Sequence, residues 1–509
     1  METGDALRLL SLPSEALTHT SQPALCDALG YFEPDILTIP GARNGLAYAA
    51  VRETGIEAPV LHPQLGRNGE RVTHHRYIER TGLHEATEAA PPAEAIDIIA
   101  VQDPAFLSAL QSELESGGRR TGTDAATYLI VPELAVSWNT TTLSTTLPHS
   151  EQLAAISAAL SEPVTILAGG QPATYHHVWT LPYGHASITV PVAGLGATGT
   201  ETGPAKLTAY ACTAHGTVAA EVVTVDAFGL RALQGVGEAT AERLSEKGCQ
   251  TREAVRNLGV SELAELPGVG RERAQKMHAH ASVIASGEPL VLTNSTPAKT
   301  RDCRPPLCLD IETDGLSPTI IWQFGIYDPH TDRYQSFVEK QDPKTPKRVL
   351  EAFIEWFLAN HSDRTVITWN GYGFDYVYIE QFLRRYLPQY VEAWDDVWTY
   401  DLYKWAVRDG NALLPGRTNK LDHVARALGY ESAETGLTGA QTAAAYQAFM
   451  REPENPAAEP DWGRHEQYCR DDCEALWYVY RAIETAERRD VTDSGTGGAA
   501  GEQAGLMDF

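Results

Sequence analysis

The chain has 509 residues, with 67 Asp and Glu against 40 Lys and Arg, a formal net charge of −27 and a pI near 5.0. That length implies about two to four domains, and no apolar run is long enough for a membrane span, so neither a membrane partner nor a single small domain fits. The seven cysteines are scattered, and no pair has the spacing of a zinc or iron–sulfur site. No charged-then-apolar leader opens the chain, from which we expect a cytoplasmic location.

Residues 1–225 read as an α/β region. Ala95–Val101, Thr127–Val131 and Val164–Ala168 are strand-like apolar runs, and a helix is expected from Pro104 to about Ser116. A break at Ala89-Ala90-Pro91-Pro92 marks a place where this region would split. No lysine precedes Lys206, which argues against a second, lysine-dependent nuclease site here. His74, His75, His84, His176 and His177 read as unpaired surface histidines, and we assign the region no activity.

Residues 226–288 read as all-α. Gly235-Val236-Gly237 and Gly268-Val269-Gly270 stand at the same point of a pattern that repeats after 33 residues. Each copy resembles the hairpin and second helix of a helix-hairpin-helix, and the two together resemble the tandem domain of many DNA repair proteins. Glycine-rich hairpins leave backbone N–H groups free at a helix start, a phosphate site without base specificity. The resemblance implies DNA-backbone contacts from Gly235, Val236, Gly237, Gly268, Val269 and Gly270, with Arg271, Arg273 and Lys276 beside the second hairpin. The alternative is a tandem used for protein contacts or as a spacer. Residues 227–285 carry eight basic and seven acidic side chains, whereas the flanks carry all of the net negative charge.

After a linker, 289–304, comes the stretch that carries the chemistry, 305–488. In Leu307-Cys308-Leu309-Asp310-Ile311-Glu312-Thr313, an apolar strand sets two acids two positions apart, hence on one face. Two such anions at a buried strand end invite a hard divalent cation. A second strand, Thr365–Trp369, runs through Asn370-Gly371-Tyr372-Gly373-Phe374 into Asp375, with a helix expected from near Val377. A third segment, Arg464–Leu476, is helical, with Tyr468 and Asp472 four apart on one face.

These three motifs, in this order, resemble those of the DEDD exonuclease superfamily with its ribonuclease H-like mixed α/β fold. Gln467 stands where the histidine subclass would need its histidine, so the tyrosine subclass is implied. The resemblance implies a two-ion Mg²⁺ or Mn²⁺ site. Asp310, Glu312 and Asp472 would hold the nucleophile-side ion, Asp310 bridging to a second ion served by Asp375, with Tyr468 orienting the attacking water. Thr313, Leu316 and Asn370 are implied to meet the substrate; ordinary packing is the alternative for Leu316. A fold relative that has lost activity, serving as a non-catalytic DNA-binding scaffold, stays open, as does an RNA exonuclease.

A charge of −27 ordinarily repels nucleic acid. Nine lysines against 31 arginines, with abundant acids, resemble the proteins of salt-loving archaea, where molar salt shortens the Debye length to about 3 Å. The alternative is an acidic protein of a GC-rich bacterium. Cys469 and Cys473, one helical turn apart, read as core contacts. The tail, 489–509, reads as a flexible tether. It ends in Gln503, Leu506 and Phe509, spaced as in the peptides that dock on the DNA sliding clamp, though the second aromatic of that pattern is missing.

Overall fold

In a computed structural model, residues 6–489 are described, apart from 19, 41–43, 62–70, 79–81, 86–94, 117–125, 140–143, 161–162, 174, 197–204, 217, 298–303, 434 and 436. The clamp-like peptide therefore lies outside the described residues, as does the Ala89–Pro92 break. The chain opens with β1 (Ala6–Ser11), α1 (Ser14–Thr18), α2 (Gln22–Phe32), β2 (Ile36–Thr38), α3 (Gly45–Glu53) and β3 (Val60–Leu61). It continues through β4 (Val72–Ile78), β5 (Gly82–Glu85), β6 (Ile96–Val101), α4 (Leu107–Glu115), β7 (Thr127–Val131), β8 (Ser137–Asn139), β9 (Ser144–Thr146), α5 (Ser150–Leu160), β10 (Val164–Ala168), β11 (His176–Tyr183) and β12 (Ala186–Gly194). It then returns with β13 (Lys206–Thr213) and β14 (Val218–Thr224).

Two sheets result, one ordered β14-β13-β1-β2-β3 and the other β11-β12-β10-β7-β6-β4-β5. Alternation along the strands explains why they stack. Leu7 and Leu9 of β1 meet Ile96 and Ile98 of β6 in a core between the sheets. Leu10 turns outward to α1–α3, and Ile99 and Val101 turn outward to α4 and α5. Both faces of each sheet are thus buried, which is why these strands read as continuous apolar runs. The expected split near 90 is not found, because β4, before it, pairs antiparallel with β6, after it. The chain changes sheet instead between β3 and β4 and again between β12 and β13. His74 is not a surface histidine either: its side chain is buried, with Nε2 3.6 Å from Glu113.

Helices α6 (Glu238–Glu246), α7 (Arg252–Asn257), α8 (Val260–Ala264) and α9 (Arg271–Ser286) follow. They enclose a core of Leu233, Val236, Leu244, Val255, Leu266, Val269 and Met277. The expected linker is partly structural, since β15 (Leu290–Val291) pairs with β21 (Ala412–Leu413) and β22 (Glu487–Arg488).

The last unit is built on β16 (Leu307–Thr313), β17 (Ile321–Asp328), β18 (Arg333–Val338), β19 (Thr365–Thr368) and β20 (Trp398–Asp401), in the order β18-β17-β16-β19-β20. The first three pair antiparallel, and β16, β19 and β20 run parallel. Between strands come α10 (Lys347–His361), α11 (Asp375–Tyr386) and α12 (Val391–Asp395); α13 (Leu421–Ala427), α14 (Gly439–Arg451) and α15 (Trp462–Thr485) come after β20. Leu307, Leu309 and Ile311 face α10 and α11, while Cys308 faces Leu476 and Val479 of α15.

The three units meet at Asp27 of α2. Its carboxylate accepts hydrogen bonds from the Gly229 N–H (2.8 Å), Arg252 Nη2 on α7 (2.5 Å) and Arg417 Nη1 of the last unit (2.8 Å). A second contact joins Glu221 of β14 to His423 Nε2 at 3.2 Å and Arg426 Nη1 at 3.4 Å, both on α13.

Candidate active site

Because the odd residues of β16 fill the α10–α11 core, Asp310 and Glu312 project from the opposite face, toward α15. A register shift between Glu312 and Thr313 ends regular pairing there. Asp310 lies opposite Gly325 of β17. A Cβ at Gly325 would stand 2.5 Å from Cys469 Sγ and 2.7 Å from the Tyr334 hydroxyl, so this glycine lets α15 close onto the strand. The Cys469 thiol then donates to Asp310 Oδ2 at 3.5 Å. Ligating atoms of Asp310, Glu312 and Cys469 lie within 4.8 Å of one another. Cys469 is a core residue as expected, yet it also touches an acid of the site, and only the fold reveals this.

Asp375 is buried at the first position of α11, two residues earlier than the expected helix start. The turn before it is held by Asp401 at the end of β20, which the sequence reading missed. Asp401 accepts from the backbone N–H groups of Asn370 (3.1 Å), Tyr372 (3.0 Å) and Lys404 (2.9 Å). Asn370 adopts φ +70°, the left-handed region asparagine tolerates. A Cβ at Gly371 would lie 1.9 Å from Thr368 Oγ1, so only glycine fits. Asn370 Oδ1 is buried and has no hydrogen-bond partner among the described residues.

On α15, Tyr468 and Asp472 share the face turned to the acids, and the Tyr468 hydroxyl donates to the Asp472 carboxylate. Its neighbour Asp471 points elsewhere, accepting from the Tyr430 hydroxyl (3.0 Å) and the Ala433 N–H (2.9 Å). His465 is buried edge-on against Trp322, and burial pushes its pKa down to about 4. Thr313 is buried, its hydroxyl donating to the Gly315 carbonyl at 3.0 Å. Leu316 is 66% exposed, which removes ordinary packing as its explanation. Its carbonyl is held by the Tyr378 hydroxyl at 3.0 Å.

The electrostatics are those of an anion cluster. Burial first, then Glu312 and Asp472, pushes the Asp310 carboxyl well above the usual carboxylate range, and burial with Asp472 and Asp375 does the same to Glu312. Burial raises Asp375 to about 7, with Asp401 adding to the effect. Asp472 is raised to about 8 by burial, then by Asp422 and Asp471, against the Tyr468 hydrogen bond. The charged neighbours raising all four acids are anionic. Such a set of hard oxygen donors fits a divalent cation, which would replace repulsion by attraction.

The helical tandem corrects part of the sequence reading. Gly237 and Gly270 cap α6 and α9 without a side-chain hydrogen bond, and Gly235 and Gly268 take φ +81° and +76°. Val236 and Val269 are core residues, and their N–H groups donate back to Leu233 and Leu266 carbonyls, so they do not face a ligand. Arg273 is committed to the fold: it donates to the carbonyls of Gly235 (2.6 Å) and Gly268 (3.2 Å) and to Thr240 Oγ1 (3.2 Å). Arg243 reciprocates from the first repeat, donating to the Pro267 carbonyl at 2.7 Å. Arg271 is exposed, and Lys276 pairs with Glu272 at 3.0 Å.

Residues 307–484 match the profile of the RNase_H superfamily, and residues 229–282 match that of the SAM-like helix-hairpin-helix tandem. The chain therefore contains a ribonuclease H-like domain preceded by a tandem helix-hairpin-helix domain. Among solved structures, it is similar to the E. coli ExoI–ssDNA complex in its zinc-bound form, at 17% identity and a TM-score of 0.21. That match covers 30% of this chain and spans 41% of that one. Among curated proteins none matches. No helix among the described residues is long and apolar enough to cross a membrane.

Proposed function

We propose that the protein is a metal-dependent 3′-to-5′ exonuclease of the tyrosine DEDD type, acting on single strands or frayed 3′ ends of DNA in replication or repair. The observation that carries the proposal is the convergence of Asp310 and Glu312 from β16, Asp375 from α11, and Tyr468 and Asp472 from α15 on a single repulsive pocket. Asp310, Glu312 and Asp472 would hold one Mg²⁺ or Mn²⁺ and Asp375 a second, with Asp310 shared. A bound ion pair supplies charge neutralisation and an activated water in phosphodiester hydrolysis.

The chain's own residues do the rest. Burial and the neighbouring acids push the Tyr468 phenol well above its ordinary pKa, so at neutral pH it stays protonated and orients water by hydrogen bonding. Its bond to Asp472 fixes that orientation. Leu316 stands out from the surface on an anchored loop, shaped to wedge against a terminal base. Buried Asn370 Oδ1 and the Thr313 backbone complete the substrate wall. The tandem favours DNA over RNA through the backbone N–H groups of Gly235, Gly237, Gly268 and Gly270, with Arg271 and Lys276 nearby.

Degradation of 3′- and 5′-labelled DNA and RNA oligonucleotides tests this, in molar salt to suit the acidic, lysine-poor composition. We expect shortening of DNA from the 3′ end with Mg²⁺ or Mn²⁺ and none from Asp310→Ala. Activity unchanged by that substitution would refute the site; preferential RNA degradation would move the substrate, and inactivity with both metals would favour a scaffold. We also propose that Gln503, Leu506 and Phe509 dock on a DNA sliding clamp. Equal clamp affinity of the intact chain and one lacking 503–509 would sink that idea.

A further inference from the structure

The acidic character of the chain is interrupted in a way the proposed activity leaves unused. Residues 163–200 contain no Asp, Glu, Lys or Arg, and neither do residues 435–450, in a chain that is 21% charged. The first stretch includes the ribbon β11–β12, in which β11 is the edge strand of its sheet. Val178 and Tyr183 on it are 46% exposed, and His176, His177, Thr180 and Pro182 are exposed as well. Half-buried Trp179 stands edge-on to His177 at 5.0 Å between ring centres, its Nε1 donating to the Tyr175 hydroxyl at 3.2 Å.

The second stretch includes α14, which links this ribbon to the candidate site. At its start, a Cβ on Gly439 would lie 4.0 Å from the Tyr468 hydroxyl, and Gln441 Nε2 donates to the Val218 carbonyl of β14 at 3.2 Å. Farther along, Gln447 Nε2 donates to the Asp314 carbonyl at 2.6 Å. At its end, Arg451 is the charged neighbour of His177. The helix therefore leads from the acids to β11, about 20 Å at 1.5 Å per residue. The two sheets also meet at this side, where the Tyr210 hydroxyl of β13 donates to the Gly194 carbonyl of β12.

We propose that this uncharged strip is a track for single-stranded nucleic acid, which leaves the candidate site along α14 and stacks bases on the aromatic side chains of β11. The inference rests on the nuclease reading of that site. A polyanion is repelled least where the acidic surface is interrupted. Base stacking on Tyr, Trp and His requires no sequence preference, as an exonuclease needs. An uncharged edge strand with exposed apolar residues otherwise invites aggregation. Pro182 lacks the N–H that strand addition would use at that position, which leaves the side-chain faces as the binding element.

The test compares the full-length protein with Val178→Glu and Tyr183→Ala, each checked for fold by circular dichroism, on a trinucleotide and a 20-nucleotide DNA. A trinucleotide spans about 10 Å at 3.4 Å per nucleotide and ends before the ribbon. We expect each variant to raise KM for the 20-mer about five-fold or more, leaving kcat and the trinucleotide KM unchanged. An unchanged 20-mer KM overturns the track, and if the wild type is then dimeric and Val178→Glu monomeric by sedimentation, the strip is a self-association surface. If no oligonucleotide is degraded by the wild type, the active-site reading fails separately. Fluorescence anisotropy of the 20-mer then decides the track, and equal affinity of wild type and variants overturns it.

Discussion

Replacing Asp472 by Asn should stabilise the metal-free protein while abolishing activity, because the four carboxylates repel one another in a buried pocket. The Asp472 carboxyl is raised from 3.8 to about 8 in the folded protein. The folded state therefore binds its proton more tightly than the unfolded state, and stability falls as pH rises from about 4 to about 8. At 1.36 kcal/mol per pKa unit, the penalty at pH 7 is at most roughly 4 kcal/mol, and about 2 kcal/mol once shared among four interacting acids. Asn carries no charge, so the variant should match the wild type at pH 5 and melt about 4–8 °C higher at pH 8 in EDTA. Magnesium should reverse the order. At 100 times its dissociation constant a bound ion stabilises by about 2.7 kcal/mol, a gain the wild type keeps and the variant largely loses. Scanning calorimetry at both pH values, with and without metal, measures this. A variant less stable than wild type in EDTA at pH 8 would mean that Asp472 is satisfied by the protein alone, and the repulsive-pocket argument would be wrong.

Tyr468→Phe removes the hydroxyl that donates to Asp472, and kcat should fall roughly 10–100-fold with KM little changed; a KM effect alone would assign the residue to substrate binding. Asp27→Ala leaves Arg252 and Arg417 without their shared carboxylate, and limited proteolysis between the units should accelerate as about 3 kcal/mol of charged hydrogen bonding is lost; unchanged proteolysis would show that the units hold together without it. Arg273→Met should lower the melting temperature through the Gly235, Gly268 and Thr240 contacts, whereas Arg271→Met should weaken DNA binding with no such effect. The reverse pattern would restore Arg273 to the phosphate-binding set.

Local periodicity explains what could be read without the fold. Two-residue alternation put Asp310 and Glu312 on one strand face, and the four-residue interval put Tyr468 and Asp472 on one helix face; both depend only on backbone geometry. Asp401, Gly325 and Cys469 depend on which strand and helix pack against β16, a long-range pairing with no local signature. The same holds for the order of the seven-stranded sheet, in which β4 precedes β6 in the chain yet joins it across the expected break. Arg273 shows the limit for charge patterns. A cation beside a glycine hairpin is equally suited to bind a phosphate or to hold the hairpin's own carbonyls, and only the second repeat's position relative to the first decides.

Asp471 and Asp472 make the distinction sharper, since two adjacent acids of identical chemistry take opposite tasks. A step of one residue turns a helix by about 100°, enough to send one carboxylate into the pocket and the other to Tyr430 and Ala433. Asp471 sits there satisfied by a hydroxyl and a backbone N–H and fixes the chain segment that follows α13. Asp472 is left among anions, with one phenol to stabilise its charge and Asp375, Asp422 and Asp471 opposing it. A protein that needed only a folded helix would do better with a neutral residue at 472, as with the Asn variant above. The unrelieved repulsion is therefore the physical signature of a site whose remaining partner is a cation.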